Sequence, residues 1–359
     1  MLKDLVCRSA PTGKAACIIN GETLHSMFAL PCLKNESNQY VPLENQSLAK
    51  LQKTFKSISH VIIDEFSMMS QAILAKIDGR LRQAKCQPTL PFGGLSVILT
   101  GDPGQLLPVG GNALYCKKLK NQLNISGYNL YIQFKVVIEL VQTMRQQNEN
   151  DDADQKHFIE LLQRTRNGDN TIDDWKLLCK RQPTASNFEE FKNAIRMFYV
   201  NEQAISYSCI KINELNSSKT SSSAINSNSK CSKITSDNFG GLTNIAYLAV
   251  GAEIVLTANL WTKKGLTNGS FGIIRDIIFP LNKKINDIPD VILMEIYKYN
   301  GPKFFTDELK KNWIPIVPVK FFNSYCNGTR QQYAFRLAYA TTIHKSQGLF
   351  YDHKCILLK

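Results

Sequence analysis

The stretch Val61-Ile-Ile-Asp-Glu-Phe-Ser67 decides the fold class of this 359-residue chain. Its short apolar run ends abruptly in two carboxylates, which is the pattern of a buried strand in a parallel sheet. The same pattern recurs at Leu95–Asp102, Ile195–Asn201 and Tyr333–Thr342. Helical segments separate these runs, the first of them with Ser70 as its predicted cap. The sequence therefore predicts an α/β fold whose ligand site lies beyond the carboxyl ends of its strands.

The composition indicates a folded, basic protein. Apolar residues make up 43% of the chain, and 43 Lys and Arg against 30 Asp and Glu give a net charge of +13. This excess favours a polyanion such as nucleic acid, because phosphate neutralisation dominates such binding. A basic soluble protein without that partner is the alternative. The ten cysteines form no C-x-x-C pair and no zinc-type cluster, so we expect reduced thiols in a cell interior.

The N-terminal and apolar segments bear on membrane targeting. Residues 1–11 are too short and polar for a signal peptide. No apolar run approaches the roughly 18 residues of a spanning helix. We therefore expect an intracellular protein with no membrane partner.

Polar residues after the first two predicted strands are the candidates for chemistry. Asp64 can hold Mg²⁺ and Glu65 can polarise an attacking water, as in nucleotide hydrolases. A chance acidic pair at a strand end is the alternative. The next strand leads into Thr100-Gly-Asp-Pro-Gly-Gln105, where the neutral amide of Gln105 can sense a γ-phosphate without being repelled. An ordinary Gly/Pro turn is the alternative there.

Thr12-Gly13-Lys14 looks like the end of a phosphate-binding loop but does not fit one. Such a loop reads G-x-x-x-x-G-K-[ST], whereas Ala15 follows the lysine here and Arg8 replaces the first glycine. The three residues offer a hydroxyl, backbone N–H groups and a cation, which suit a nucleic-acid phosphate. Thr23 can cap a following helix with His25 in its first turn. A surface or core histidine is the alternative for His25.

These stretches resemble the motifs of superfamily 1 helicases, and more narrowly of their petite-integration-frequency (PIF) and RecD-like branch. The matching stretches, in chain order, are APTGKAA…GETLHS from residue 10 (motif Ia), IIDEFSMM from 62 (motif II), GDPGQLLPV from 101 (motif III), LVQTMRQ from 140 (motif IV), GAEIVLTANLW…GLTNG from 251 (the inserted β-barrel) and LAYATTIHKSQG from 337 (motif V). They span nearly the whole chain, and an unrelated α/β nucleotide-binding protein would need all of them to be accidental.

The resemblance implies two RecA-like parallel-sheet lobes with a small β-barrel inserted in the second. The predicted domains are 1–145 for the first lobe, 146–249 for linker helices and the start of the second lobe with a flexible loop at 216–238, 250–334 for the barrel, and 335–359 for the rest of the second lobe. The loop is predicted from its Ser-, Asn- and Lys-rich composition.

The resemblance also implies an activity. It implies an ATP-dependent 5′-to-3′ DNA helicase that couples ATP hydrolysis to translocation on single-stranded DNA and to duplex unwinding. ATP and Mg²⁺ are the implied cofactors, and single-stranded DNA and duplex junctions are the implied partners, with RNA left open. We expect a monomer in the nucleus, with mitochondria as the alternative, acting in DNA repair, recombination or telomere maintenance.

The resemblance assigns roles to individual residues. The implied catalytic residues are Asp64, which also holds Mg²⁺, Glu65, Gln105 and Arg145. The implied ATP contacts are Asp64, Gln105, Arg145, Gln347 and Gly348. The implied DNA contacts are Thr12, Gly13, Lys14, Thr23 and His25 from the first lobe, and Thr342, His344, Lys345 and Ser346 from the second. Arg145 would act as an arginine finger, and an ordinary exposed arginine is the alternative.

The sequence departs from the family pattern in two places. It contains no G-x-x-x-x-G-K-[ST], and no second arginine-bearing motif follows Gly348. We therefore expect both lobes to be incomplete and this chain to hydrolyse ATP only at a background rate. The alternative to a helicase is a non-catalytic DNA-binding remnant or fragment, derived from a mobile element.

Overall fold

The computed structural model describes residues 5–31, 39–142, 153–180, 194–282, 287–297, 299–323, 326–346 and 357–358. Helices and parallel strands alternate in its first part, which confirms the predicted α/β class. No helix in these ranges is long and apolar enough to cross a membrane.

The first lobe is built on a parallel sheet. Its strands are β1 (Val6–Ala10), β2 (Glu22–Thr23), β3 (His60–Ile63) and β4 (Ser96–Leu99), in the order β2-β1-β3-β4. Strands β3 and β4 lie where the sequence predicts them. Strand β1 was not predicted, because Arg8 and Ser9 interrupt its apolar run. The fold accommodates Ser9 by a hydrogen bond from its hydroxyl to the carbonyl oxygen of Glu22, 2.9 Å away.

Five helices accompany this sheet. They are α1 (Gly13–Ile18), α2 (Leu24–Met27), α3 (Asn45–Phe55), α4 (Gln71–Lys85) and α5 (Gln122–Tyr131). The predicted cap of α4 is confirmed, since Ser70 Oγ accepts a hydrogen bond from the Ile73 amide at 3.3 Å. Helix α4 buries Leu74, Ile77 and Leu81 in the same core as the strands, as its apolar spacing requires.

Gly127 lets α5 pack directly against the start of α4. A Cβ at this position would overlap the carbonyl group of Gln71. We predict that Gly127→Ala lowers the free energy of unfolding by about 2 kcal/mol, because the steric cost exceeds the gain of about 1 kcal/mol in helix propensity. Urea titration followed by circular dichroism measures this. Asn129→Ala, at an exposed position of the same helix, is the control and should be neutral or stabilising. A Gly127→Ala protein as stable as the control would contradict this packing.

The second lobe contains a smaller parallel sheet. Its elements are β5 (Arg196–Phe198), α8 (Asn201–Asn213), β16 (Ala340–Thr342), α10 (Ile343–Ser346) and β17 (Leu357–Leu358). The helices α6 (Ala153–Asn167) and α7 (Ile172–Lys180) precede this sheet in the chain, in the region predicted to hold linker helices. Strand β5 lies between β16 and β17 and is parallel to both.

The single strand predicted at 333–342 is divided between two sheets. Its first part, β15 (Phe335–Leu337), pairs antiparallel with a barrel strand, whereas β16 pairs with β5. Tyr339 lies at the transition, where its hydroxyl accepts a hydrogen bond from the Glu253 amide and its carbonyl accepts one from the Arg196 amide. Apolar periodicity cannot detect such a change of partner.

The region predicted as a barrel forms an antiparallel sheet. Its strands are β9 (Glu253–Leu256), β10 (Phe271–Ile278), β11 (Val291–Ile296), β12 (Ile314–Ile316) and β15, in the order β12-β11-β10-β9-β15. Ile254, Ile274 and Met294 form its fully buried core. The sheet extends past the predicted boundary at residue 334, because β15 belongs to it.

The prediction of a flexible loop at 216–238 is wrong. The elements of this segment and their partners are β6 (Lys219–Ser223), β7 (Ile225–Asn226), α9 (Ser229–Lys233), β8 (Ile245–Ala249), β13 (Val319–Asn323) and β14 (Gly328–Gln332). Strand β6 pairs with β8, and β7 pairs with β14, which also pairs with β13. The polar composition predicted a loop because it contains few apolar residues. The backbone of this segment is instead held by strand pairing and by hydrogen bonds from the buried Arg330.

Candidate nucleotide and nucleic-acid site

The carboxyl edge of the first sheet collects most of the predicted site residues. Strands β1 to β4 are parallel, so their carboxyl ends meet at one edge. The turn after β1 holds Thr12 and Gly13, and the end of β2 leads into α2 with Thr23 to His25. The turn after β3 holds Asp64 and Glu65, and the turn after β4 holds Thr100 to Asp102. The fold thus places the candidate hydrolytic residues and the first group of candidate DNA contacts along the same edge.

Asp64 is positioned by the strands on both sides of it. Its amide donates a hydrogen bond to the Ser9 carbonyl at 2.9 Å, and the Thr100 hydroxyl donates to its Oδ1 at 2.6 Å. In the part of the chain that the structure describes, no donor reaches Oδ2 of Asp64. This second carboxylate oxygen could bind Mg²⁺, which commonly takes one or two carboxylates and keeps several water ligands. The described residues contain no cluster of three or more metal-ligating side chains.

Glu65 has an unusual backbone conformation. Its φ of 53° lies in the left-handed region, which costs energy for a residue with a side chain. The turn brings Phe66 against the end of β4, where the Phe66 amide donates to the Thr100 carbonyl at 3.1 Å. Gly101 has a φ of 140°, and a Cβ there would lie 3.0 Å from the Phe66 nitrogen. The close contact of these two turns therefore requires glycine.

The loop that carries Gln105 is held by helix α6, which follows the first lobe in the chain. Arg166 Nη2 of α6 donates to Asp102 Oδ1 at 2.7 Å, and the same oxygen accepts from the Gly104 amide at 2.8 Å. The Gln105 amide donates to the Asp102 carbonyl at 3.1 Å. Sequence reasoning missed Arg166, because no local pattern connects residues 64 positions apart.

Helix α6 is held against α7 by a bidentate ion pair. Arg164 Nε and Nη2 donate to the two carboxylate oxygens of Asp174 in α7, at 2.8 and 2.7 Å. The Asp174 side chain is 1% exposed. Hydrogen bonds from Arg164 and from the Thr171 amide hold the pKa of this carboxyl well below its usual range. The pair therefore stays ionised at neutral pH and sets the position of α6 and its Arg166.

Thr12 and Gly13 form the turn between β1 and α1. Thr12 Oγ1 accepts a hydrogen bond from the Ala15 amide at 3.2 Å, so Thr12 caps the helix. A hydroxyl has one donor and two acceptor positions, so the Thr12 proton remains available to a phosphate. Lys14 follows in the first turn of α1. A Cβ on Gly13 would lie 3.8 Å from Cβ of Asn268, so this turn faces a loop of the antiparallel sheet.

The second half of motif Ia lies beside the first. Thr23 pairs in register with Ala10, next to the Thr12 turn. The predicted cap of α2 is confirmed, because Thr23 Oγ1 accepts from the Ser26 amide at 3.3 Å. His25 is half-buried in the first turn of α2.

The candidate contacts of the second lobe follow β16. Thr342 ends this strand and is 6% exposed, whereas Ser346 at the end of α10 is half-buried and donates its hydroxyl proton to the Ile343 carbonyl at 2.7 Å. His344 and Lys345 lie on the backbone of α10 between them. Arg145, Gln347 and Gly348 lie outside the described residues, so their roles stay predictions.

One further surface near motif Ia was not predicted. The loop from Trp261 to Gly269 carries Asn268, the neighbour of Gly13. Trp261 is 41% exposed, and Lys263 in the same loop is exposed. An exposed aromatic ring and a lysine suit unpaired bases and phosphates. No motif marks this loop as adjacent to residue 13, since only the tertiary fold brings them together.

The fold and the site define a RecA-like α/β protein with an acidic residue, an amide-bearing loop and a phosphate-type turn along one sheet edge. The family model described as PIF1-like helicase matches residues 2–175. The chain is 29% identical over 378 residues to the ATP-dependent DNA helicase Pif1 of Campylobacter jejuni, and 28% identical over 350 residues to the ATP-dependent DNA helicase PIF1 of Danio rerio. The chain is thus similar to PIF1-like helicases, to the family model over its first part and to these relatives over nearly its whole length.

A solved structure shows the same similarity. The chain matches the crystal structure of a Bacteroides Pif1 helicase in complex with ADP-AlF3 and ssDNA, with a TM-score of 0.67 and 25% identity over 98% of this chain and 76% of that one. The sequence alignments cover 97% of the chain and 75% of the Campylobacter relative, and 96% of the chain and 49% of the Danio relative. The chain thus spans about half the length of the vertebrate relatives that it matches.

Proposed function

We propose that the protein is an ATP-dependent DNA helicase that moves 5′ to 3′ on single-stranded DNA and unwinds duplexes. The observation that carries this proposal is the shared sheet edge, which places Asp64 and the Gln105 loop beside the Thr12 turn and the Thr23 cap. The relatives' names, and the nucleotide and ssDNA bound by the Bacteroides neighbour, support it.

The residues have separable roles in this proposal. Asp64 would hold Mg²⁺, which in such sites neutralises charge on the nucleotide phosphates. Glu65 would orient the attacking water, and Gln105 would respond to the γ-phosphate. Motif Ia and motif V would bind one DNA strand from two lobes, and the Asp102–Arg166 contact joins the Gln105 loop to helix α6 between them in the chain. Binding or loss of the γ-phosphate would thereby alter the distance between the two groups of DNA contacts.

The test is an unwinding assay on the longest natural protein that contains these residues. Substrates with a 5′ or a 3′ single-stranded tail are compared in the presence of ATP and Mg²⁺. We expect unwinding of the 5′-tailed substrate only. Equal unwinding of both substrates, or unwinding without nucleotide, would refute the proposal.

The alternative function is DNA binding without ATP hydrolysis. The 359 residues contain no G-x-x-x-x-G-K-[ST], so we propose that this chain alone hydrolyses ATP at a background rate. Hydrolysis by this chain that single-stranded DNA stimulates and Asp64→Ala abolishes would overturn that statement. Single-strand binding with a steep salt dependence and no response to nucleotide would support the alternative.

The proposal extends to the biological setting. We propose a monomer that acts on single-stranded DNA and duplex junctions in the nucleus, during DNA repair, recombination or telomere maintenance. The basic net charge of +13 suits such a polyanionic partner.

Lys14 provides a test of the DNA-contacting role of the Thr12 turn. We predict that Lys14→Ala raises the Kd for single-stranded DNA about fivefold, and lowers the slope of log K against log salt by about 0.7, because one phosphate contact is lost. Fluorescence anisotropy with a labelled oligothymidylate at several salt concentrations measures both. Lys50→Ala, at an exposed position of α3, is the matched control. Equal losses in the two variants would show that only net charge matters.

A further inference from the structure

Two cysteines far apart in the sequence are in contact inside the second half of the molecule. Cys231 lies in α9 and Cys326 lies in the turn between β13 and β14, and their sulfur atoms are 3.2 Å apart. Both residues are buried, with 0% and 5% of their surface exposed. Both are free thiols. No local sequence pattern connects them, because they are 95 residues apart.

A buried arginine lies next to this pair. The Arg330 guanidinium donates to the carbonyl oxygens of Cys231, Ile234 and Leu242, and its carbon lies 4.2 Å from the centre of the Phe239 ring. Its hydrogen-bond partners within the described residues include no carboxylate. A buried positive charge without a carboxylate favours a negative charge nearby, and Arg330 interacts electrostatically with the thiols of Cys231 and Cys326.

The two thiols therefore differ in acidity. Burial opposes ionisation of Cys231, but hydrogen bonds from Cys326 Sγ and Ser227 Oγ and the charge of Arg330 outweigh it, so the pKa of Cys231 lies below its usual value. Burial and the neighbouring Cys231 raise the pKa of Cys326. One sulfur is thus suited to attack and the other to remain protonated until it is needed.

We propose that Cys231 and Cys326 form a redox-active dithiol that a peroxide converts to a disulfide, which cross-links α9 to the β13–β14 turn. The sulfur atoms, now 3.2 Å apart, need to approach by only about 1.2 Å to reach bonding distance. The site is independent of the proposed helicase activity, since neither residue lies at the sheet edge that carries Asp64.

The chemistry balances with hydrogen peroxide as the oxidant. The Cys231 thiolate attacks one peroxide oxygen, the O–O bond breaks, and the departing hydroxide takes a proton to become water. The resulting sulfenic acid of Cys231 is attacked by Cys326 Sγ. The S–S bond forms as the S–O bond breaks, and the hydroxyl leaves with the Cys326 proton as a second water. Two thiols lose two electrons, and one peroxide becomes two water molecules.

The cross-link closes a loop of 95 residues around the antiparallel sheet. It also ties together the two segments that Arg330 holds by hydrogen bonds. Loop closure restricts the unfolded chain, so we expect oxidation to raise the thermal midpoint by about 3 °C. Reduction with dithiothreitol should reverse this shift.

Peptide mapping of the whole 359-residue chain tests the proposal. The native protein is treated with hydrogen peroxide, remaining thiols are blocked with iodoacetamide, and trypsin is added. Cleavage after lysine and arginine releases Cys231 in peptide 231–233 and Cys326 in peptide 321–330. We expect these two peptides joined by a disulfide, and separated again after dithiothreitol. Cys326→Ser should abolish the linked species, whereas Cys209→Ser, in α8, should retain it.

The wild-type protein alone decides the result, so a serine variant that fails to fold does not weaken the test. The proposal is overturned if peroxide oxidises the exposed Cys86 while peptides 231–233 and 321–330 remain separate. It is also overturned if the linked species forms only after the protein is unfolded in urea.

Discussion

Replacing Arg330 by methionine should lower the free energy of unfolding by about 4 kcal/mol. The side chain is fully buried, and it donates hydrogen bonds to the groups Asn226 Oδ1, Cys231 O, Ile234 O and Leu242 O. Methionine keeps an unbranched apolar stem that ends where Nε of arginine stands, and it has no donor, so it would leave these buried oxygens without their partner. The loss would fall on β7, α9 and β14 together, because Arg330 connects all three.

Urea titration of the variant measures this effect. Arg330→Lys keeps the charge but loses the planar fork, so it should show an intermediate loss. The matched control is Arg275→Met on β10, where Arg275 pairs with Glu295 and is 38% exposed. A partly exposed surface pair of this kind contributes about 1 kcal/mol or less. If Arg330→Met proves no more costly than Arg275→Met, Arg330 does not organise this region.

The role of Arg330 shows why part of the fold could not be predicted. The Ser- and Asn-rich composition of 216–238 predicted a flexible loop, because it lacks the apolar residues that form a core by themselves. The segment instead obtains its order from Arg330, about a hundred residues away in the chain. By contrast, the positions of β3 and β4 were predicted correctly from the apolar runs Val61–Ile63 and Val97–Leu99. The burial of β4 was not, because Ile98 in this strand is 47% exposed.

The candidate site was also predicted only in part. The sequence placed Asp64 and Thr100 at strand ends, and the parallel sheet then brings these ends together. It did not predict the hydrogen bond between them, nor the contact between Asp102 and Arg166, which join residues 36 and 64 positions apart. Local patterns specify which side chains reach the sheet edge, whereas the tertiary fold determines which of them touch.

Asp64→Asn is the substitution that most directly tests the proposed chemistry. In the longest natural protein that contains these residues, we expect it to lower ATP hydrolysis stimulated by single-stranded DNA by about 100-fold or more. Asparagine keeps an oxygen that can accept the 2.6 Å hydrogen bond from Thr100. The contact between the turns after β3 and β4 should therefore survive. What disappears is the negative charge that would hold Mg²⁺ against the nucleotide phosphates.

Two measurements separate this loss of charge from a loss of structure. The thermal midpoint and the Kd for single-stranded DNA should stay near those of the parent protein, because the Thr12 turn depends on β1 and on its own cap rather than on Asp64. Asp276→Asn, an exposed carboxylate on β10, removes the same charge far from the sheet edge and should leave hydrolysis unchanged. If Asp64→Asn hydrolyses ATP within tenfold of the parent rate, Asp64 is not the Mg²⁺ ligand. If it also loses DNA binding, then Asp64 supports the fold of the edge rather than the hydrolytic step.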